Sequence, residues 1–433
     1  MINPQEVNRF EKIAIQGWRQ FDDIDITLHP RLTILTGANG AGKSSILRVF
    51  SAHFGFNKAF LSTPVLVKGQ FVYRSGIFKS ITKKISSFFK KDDDVNQVGR
   101  LRYSNGTIAP LKVSDQGAVQ YHLEIGGQQA IAGIHIDSHQ AVSNYQTIGS
   151  IPSSLLTAQS AYEQYHSEVY QRYHGGSGSY SPLYRMKESL IAMAVFGEGN
   201  SRSQGNPELK SALDGFIKIL REILPETLGF LDLSIRSPEI VMQTKTGEFL
   251  LDSASGGVAT LIDFAWRLYM FSLSKDFFVV TMDEPENHLH PSMQRTLLRR
   301  LMKAFPQAQF IVATHSPFIV SSVKDSNVYV LRYNHSEARS VDGFVPETTL
   351  SRIVSEKLDT INKSSSANEI LRDVLGVEAT VPEWVTDDLT SIVKRYSLQK
   401  LNSDTLIALR RELESLGYQD QYPVALAELV GKK

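Results

Sequence analysis

The chain has 433 residues, a length that predicts two or three domains with cores large enough to fold unaided. Apolar residues make up 42% and charged residues 21%, which excludes a disordered or fibrous chain. With 46 Lys+Arg against 45 Asp+Glu, overall charge does not steer the chain to nucleic acid, and the absence of cysteine excludes disulfides, thiolate zinc sites and iron–sulfur clusters.

The opening MINPQEVNRFEKIAIQGW carries acidic residues and no apolar segment, so no export or transit signal is expected in it. Residues 12–16, 24–28 and 32–35 read as short strands. The last runs into TGANGAGKSS and then into Ile46, Leu47, Val49 and Phe50 at helical spacing, giving strand, glycine loop, helix. From 55 to 151, short alternating runs with turn signals at Asn105-Gly106 and Gly126-Gly127 predict a β-rich insertion. Residues 152–229 read as a helical region, with helices over 182–196 and 207–223 and a polar linker at 174–181. Within 230–346 come strands near 231–235 and 240–243, a helix from Val258, and two apolar strands that flank a helix over 291–304. Strand and helix alternating in this way imply an α/β sheet. From 347 to 433 the composition turns helical and charged, which predicts a small C-terminal helical subdomain. The apolar runs 277–282 and 310–313 fall far below the ~18–20 residues that span a bilayer, so a cytoplasmic protein without a membrane partner is expected. No 20–50-residue repeat and no sustained heptads are present.

Four motifs carry chemistry. Gly37, Ala38, Asn39, Gly40, Ala41, Gly42, Lys43 and Ser44 spell G-x-x-x-x-G-K-S between a predicted strand and a predicted helix. In that context backbone amides wrap a phosphate beside a helix N-terminus, Lys43 meets the β and γ phosphates, and the Ser44 hydroxyl can ligate Mg²⁺. A buried strand then ends in Asp283-Glu284, where Asp283 suits the Mg²⁺ shell and Glu284 can polarise an attacking water. Another ends in Thr314-His315-Ser316-Pro317, which places His315 within reach of a γ-phosphate if the two strands are neighbours. Ser253-Ala254-Ser255-Gly256-Gly257 precedes the helix at Val258, another N-terminal anion position, although alone it is an ordinary cap.

These pieces, in this order, resemble the ATP-binding-cassette ATPases, most closely the soluble branch of SMC-like and OLD-like proteins. The resemblance covers 8–60 and 230–335 and leaves the insertion and the C-terminus weakly matched. The DEPENHLHP and ATHSP wording is similar to ATPase subunits of bacterial anti-phage systems of the Septu type. It implies an α/β P-loop ATPase head split between 1–54 and 230–346, with ATP and Mg²⁺ as cofactors. The implied cofactor contacts are Gly37 to Ser45 together with Ser255, Gly256 and Gly257, the last three acting in trans across a head-to-tail homodimer or higher oligomer. Ser44 and Asp283 are the implied metal ligands, and Glu284, His315 and Lys43 the catalytic set. Asn287, His288 and His290 would lie near the dimer seam, or else form a polar turn capping the helix at Pro291. Gln146 is a candidate for the Q-loop glutamine, and Trp18 with Arg19 either flank the adenine or are a core tryptophan and a surface arginine.

Neither a long coiled coil nor a fused metal-dependent nuclease is legible, so the effector is expected on a separate partner protein such as a nuclease. The run KSITKKISSFFKK over 79–91 carries five lysines and leaves nucleic acid open as a partner, with a solvated amphipathic helix as the plainer reading. The competing functional reading is a nucleic-acid-binding sensor or scaffold in which ATP is a slow switch.

Overall fold

In the computed structural model the chain divides into two units, Met1–Ser365 and Ser366–Lys433. The structure describes residues 8–67, 69–76, 97–113, 117–138, 145–151, 157–199, 201–335, 351–359, 363, 365–376, 382–398 and 402–431. The lysine run 79–91 lies outside them.

The first unit opens with β1 (Phe10–Trp18) and β2 (Phe21–Thr27), an antiparallel hairpin with Ile13, Ile15, Ile24 and Ile26 fully buried. β3 (Leu32–Gly37) is buried at every position, as its unbroken apolar run requires of a strand covered on both faces, and leads through the glycine loop into α1 (Lys43–Ser51). Short strands β4 (Phe60–Leu61), β5 (Thr63–Val67) and β6 (Gln70–Arg74) follow, then β7 (Gln97–Tyr103), β8 (Ile108–Val113), β9 (Gln120–Tyr121), β10 (Leu123–Ile125) and β11 (Gly133–Ile136). A helical layer is built by α2 (Ala158–Tyr173), α3 (Pro182–Glu198) and α4 (Pro207–Ile223). α3 and α4 each start on a capping side chain followed by proline, Ser181-Pro182 and Asn206-Pro207. β12 (Phe230–Arg236), β13 (Glu239–Thr244) and β14 (Gly247–Leu250) form a small antiparallel sheet. The unit then runs through α5 (Gly256–Ser272), β15 (Phe278–Asp283), α6 (Pro291–Ala304), β16 (Ala308–Ala313), the single turn α7 (Pro317–Val320), β17 (Asn327–His335) and β18 (Ser351–Lys357).

Eleven strands make one sheet in the order β10-β8-β7-β1-β2-β18-β17-β3-β16-β15-β11. From β17 to β11 every pairing is parallel, and from β2 outward through β1, β7, β8 and β10 every pairing is antiparallel. This is the α/β sheet expected of a P-loop ATPase head. β7, β8 and β10, from the stretch read as an insertion, extend the sheet beyond β1, with β7 on the edge of β1, β8 on that of β7 and β10 on that of β8. β18, from the stretch read as helical, pairs with β17 and β2. The site rests on the parallel half, where α1 packs on β15 and β16. In the register, Asp283 stands beside Ala313, and Ala313 beside Leu35, so three strands end level. Among the described residues no helix is long and apolar enough to cross a membrane.

The second unit is helical, with helices Glu383–Ser397, Ser403–Ser415 and Tyr422–Gly431 around a core of Val385, Leu389, Ile392, Val393, Leu409, Leu413, Ala425 and Leu429.

Candidate functional site

The glycine loop takes its shape from positions that only glycine fills easily. Gly42, the N-cap of α1, has φ +87°, and a methyl there would stand 2.4 Å from the Phe21 ring; at Gly37, φ +137°, it would stand 2.5 Å from the Leu331 carbonyl oxygen. Gln20 Nε2 donates to the Gly40 carbonyl at 3.3 Å, and Tyr333 hydroxyl to that of Asn39 at 3.5 Å. Ala38, Asn39, Gly40 and Ser44 are exposed, Gly42 and Ser45 half-buried, and Gly37 and Ala41 buried.

Lys43 is 5% exposed, and its ammonium donates to the Gly37 and Ala38 carbonyls, each at 3.1 Å. Burial lowers its pKa to about 8, against the opposing pull of Glu284, Asp283 and Glu286. Beside it, Asp283 is also buried, and burial raises its pKa, with further upward pushes from Glu284 and Asp137; a hydrogen bond from Ser44 and the charge of Lys43 work the other way. Asp283 Oδ1 has no hydrogen-bond partner. A buried carboxylate oxygen left without a partner is costly, and a cation is the natural group to satisfy it.

Glu284 sits at φ +46°, a left-handed conformation that a side-chain-bearing residue holds only when its surroundings fix it. Its amide donates to Ala313 at 2.8 Å, tying this turn to the end of β16. The carboxylate is held at both oxygens: Oε1 lies 3.4 Å from His315 Nε2, and Oε2 accepts from Asn287 Nδ2 at 3.3 Å. His315 Nδ1 is 3.5 Å from Lys43 Nζ, and burial, then Lys43, lower the histidine's pKa. Lys43, His315 and Glu284 thus form one chain of contacts across the ends of β3, β16 and β15.

Two contributors, Glu286 and Asp137, carried no role in the sequence reading, and a third, Asn287, was read there as a seam or capping residue. Glu286 Oε1 accepts from the Thr314 hydroxyl at 2.5 Å and from the His315 and Ser316 amides at 2.9 and 3.1 Å, so one carboxylate shapes the loop that presents His315. Its signal was the second glutamate of the DEPE wording. Asp137 follows β11, whose Ile136 pairs with Met282, which brings a further carboxylate next to Asp283; a strand ending in one aspartate has no signature of its own. Asn287 Nδ2 also donates to the Ser138 carbonyl at 3.3 Å, linking the same strand end to Glu284.

Ser255, Gly256 and Gly257 begin α5, with Ser255 at the N-cap and its side chain making no cap bond. They lie against His288 of the same chain: a methyl on Gly257 would stand 2.9 Å from the His288 carbonyl oxygen. The heavy atoms nearest a methyl on Gly256 or Gly257 belong to His288, Leu289 and Met293. His290 caps α6 through Ser292, as its plainer reading had it. Gln146 Oε1 accepts from the Ser181 amide at 2.9 Å and its amide donates to the Ser179 carbonyl, so its partners lie at the start of α3 and not at the glycine loop. Trp18 is fully buried with Nε1 donating to the Tyr121 hydroxyl, the core alternative, while the Arg19 guanidinium lies over Phe60.

Two family models match the chain, "AAA domain" over residues 12–226 and "AAA domain, putative AbiEii toxin, Type IV TA system" over 197–321. The first takes in the glycine loop and the second the Asp283 and His315 strand ends. "Retron Vc95 probable ATPase" of Vibrio cholerae serotype O1 biovar El Tor is 34% identical over 107 residues, 22% of this chain and 21% of that protein. "Septu protein PtuA" of Bacillus mycoides is 22% identical over 426 residues, 94% of this chain and 49% of that protein. The chain resembles Septu and retron ATPase proteins. It spans about half or less of the length of the curated relatives it matches. Among solved structures, the SMC head domain from Thermotoga maritima is similar with a TM-score of 0.37 at 12% identity, over 81% of this chain and 99% of that one. The anti-phage resemblance carried by the motifs is met again in the sequence comparisons.

Proposed function

We propose that the chain binds and hydrolyses Mg·ATP in sites completed by a second copy, and that the resulting movement is passed to a separate effector protein in anti-phage defence. The observation that carries the reading is the run Lys43–His315–Glu284 beside the partnerless, buried Asp283 oxygen. The residues fit the nucleotide and its metal: the loop offers amides and a fixed ammonium, while Ser44 and Asp283 stand together with one carboxylate oxygen free. Bound Mg²⁺ would supply charge neutralisation at the transferring phosphoryl group.

Each side chain then has a defined task. Lys43 is already drawn onto its own loop, so its charge needs little rearrangement to face phosphate oxygens. Glu284 is partly exposed, pinned by Asn287 on one oxygen, and free to accept a proton from water on the other once His315 turns toward the phosphate. Glu286 keeps His315 in place by holding the backbone on either side of it. The Ser255 side chain makes no cap bond at the N-terminus of α5, which supports its use by another copy. Phosphate release by the purified chain, lost in Glu284→Gln while nucleotide binding persists, tests this reading; unchanged turnover in that variant would remove Glu284 as the base.

One observation favours the sensor reading as well. A groove of about 580 Å³ is lined by Arg19, Arg48, Lys58, His122 and His174 without a carboxylate among its described lining residues, which suits phosphate backbones. Duplex binding that weakens steeply with salt and disappears in an Arg48→Ala, Lys58→Ala double variant would support it; binding indifferent to both changes would dismiss it.

A further inference from the structure

The turn before Ser255, Gly256 and Gly257, the signature-like segment at the start of α5, meets a buried charge. Lys187, midway along α3, is fully buried, with Nζ 2.7 Å from Asp252 Oδ2 and 3.4 Å from Glu239 Oε2. The ammonium also donates to the Gln146 carbonyl at 3.2 Å and lies 5.1 Å from the Tyr145 ring centre. Tyr145 in turn donates its hydroxyl to Glu239 Oε1 at 2.5 Å. Asp252 belongs to the short 3₁₀ turn Leu251–Ser253, which ends where Ala254, Ser255 and Gly256 lead into α5. One ammonium therefore gathers α3, β13, the segment at Tyr145 and the turn directly before the signature-like residues.

Stability alone is a poor reason for such a cluster. Burying an ammonium with two carboxylates loses hydration that their attraction barely restores, and apolar side chains of the same volume often serve a core as well or better. What a charged cluster does supply is position: at 2.7 Å the ammonium and the Asp252 carboxylate form an ion pair, and charge draws that turn toward one point in a way that apolar packing does not. We infer that Lys187 is a positioning residue for the nucleotide reaction: acting through Asp252, it sets the Ser255-Gly256-Gly257 end of α5 at the angle needed to meet nucleotide on a second copy. The inference rests on the composite-site reading above.

The test is turnover by the full chain in Lys187→Met, with Lys187→Arg and Asp252→Asn beside it, and with Lys43→Ala as a mixing partner. Lys187→Met lowers the melting temperature, because it leaves Asp252 and Glu239 without their cation, but it keeps its affinity for a fluorescent ATP analogue within about twofold and turns over about a hundredfold more slowly, as expected when a reacting group is misplaced by an ångström. Lys187→Arg recovers part of the rate. Equal mixing of Lys187→Met with Lys43→Ala restores about a quarter of the wild-type rate, because half of the dimers are mixed and each of these has one intact pair of glycine loop and signature. Should Lys187→Met fail to fold, the nearly isosteric Asp252→Asn takes its place in the mixing. Wild-type turnover in either variant, or no recovery on mixing while wild-type turnover still depends on protein concentration, overturns the assignment of Lys187. Wild-type turnover independent of protein concentration overturns the composite-site reading and this inference with it.

Discussion

Lys43 gives the site a pH dependence whose sign and size follow from its surroundings. Burial holds its ammonium at a pKa of about 8, against an ordinary 10.5, a gap worth ~3 kcal/mol in favour of the neutral form. Nucleotide phosphates favour the charged form and so restore a higher value, which means that binding above about pH 8 must take up a proton. Affinity is therefore flat from about pH 7 to 8 and then falls by up to tenfold per unit, reaching about 30-fold by pH 9.5. The group acts in the opposite sense on the nucleotide-free protein. Its folded pKa lies below the unfolded one, so the unfolded chain binds more protons between about 8 and 10.5, and this contribution to stability rises with pH across that window. A fluorescent ATP analogue titrated with Mg²⁺ at half-unit pH steps measures the first effect. Lys43→Arg, which stays charged throughout, binds more weakly but gives a flat profile. A flat wild-type profile, or the same fall in Lys43→Arg, would refute the argument that a buried, titrating ammonium meets the phosphates.

Glu286→Gln retains a carbonyl for three donors but places an amide group where Oε2 has no partner, and should lower stability by about 1–3 kcal/mol together with turnover, as read by thermal unfolding and phosphate release. Unaltered values in both would mean that the carboxylate does not organise the His315 loop. Gly42→Ala meets both a positive φ and the Phe21 ring, so nucleotide affinity should fall sharply with a melting temperature several degrees lower; normal binding would contradict the rigid-loop account. Asn287→Ala should leave nucleotide affinity unchanged and slow turnover about tenfold, because it frees one Glu284 oxygen without touching the glycine loop. Equal losses in affinity and turnover would point instead to collapse of the whole turn.

Much of this site was legible because apolar runs end in chemistry-bearing residues. The runs before Gly37, Asp283 and His315 are buried strands, and their parallel register brings the three ends level, which no single run could reveal. Local signals also marked helices well where proline and a capping residue open them, as at Pro182, Pro207 and Pro291. α5 starts at Gly256, ahead of the expected Val258, since its glycines count against helix in propensity but are tolerated in the first turn. Non-local pairing was the larger gap. β7 joins β1, and β18 lies between β2 and β17, through hydrogen bonds between residues far apart in sequence. Asp137 escaped notice for the same reason, since only its strand's pairing with β15 brings it to Asp283. Gln146 had a plausible place in the chain order, but its partners at Ser179 and Ser181 can be read only from the fold.

The claim that matters most is that ATP is bound between two copies of this chain, and the direct measurement is mass by light scattering with phosphate release in parallel. Wild type and Glu284→Gln would each be followed with and without Mg·ATP. The account predicts that nucleotide increases the mass of both, that the variant stays in the larger species, and that its phosphate release stops. A mass that ignores nucleotide in both proteins, with turnover independent of protein concentration, would contradict it.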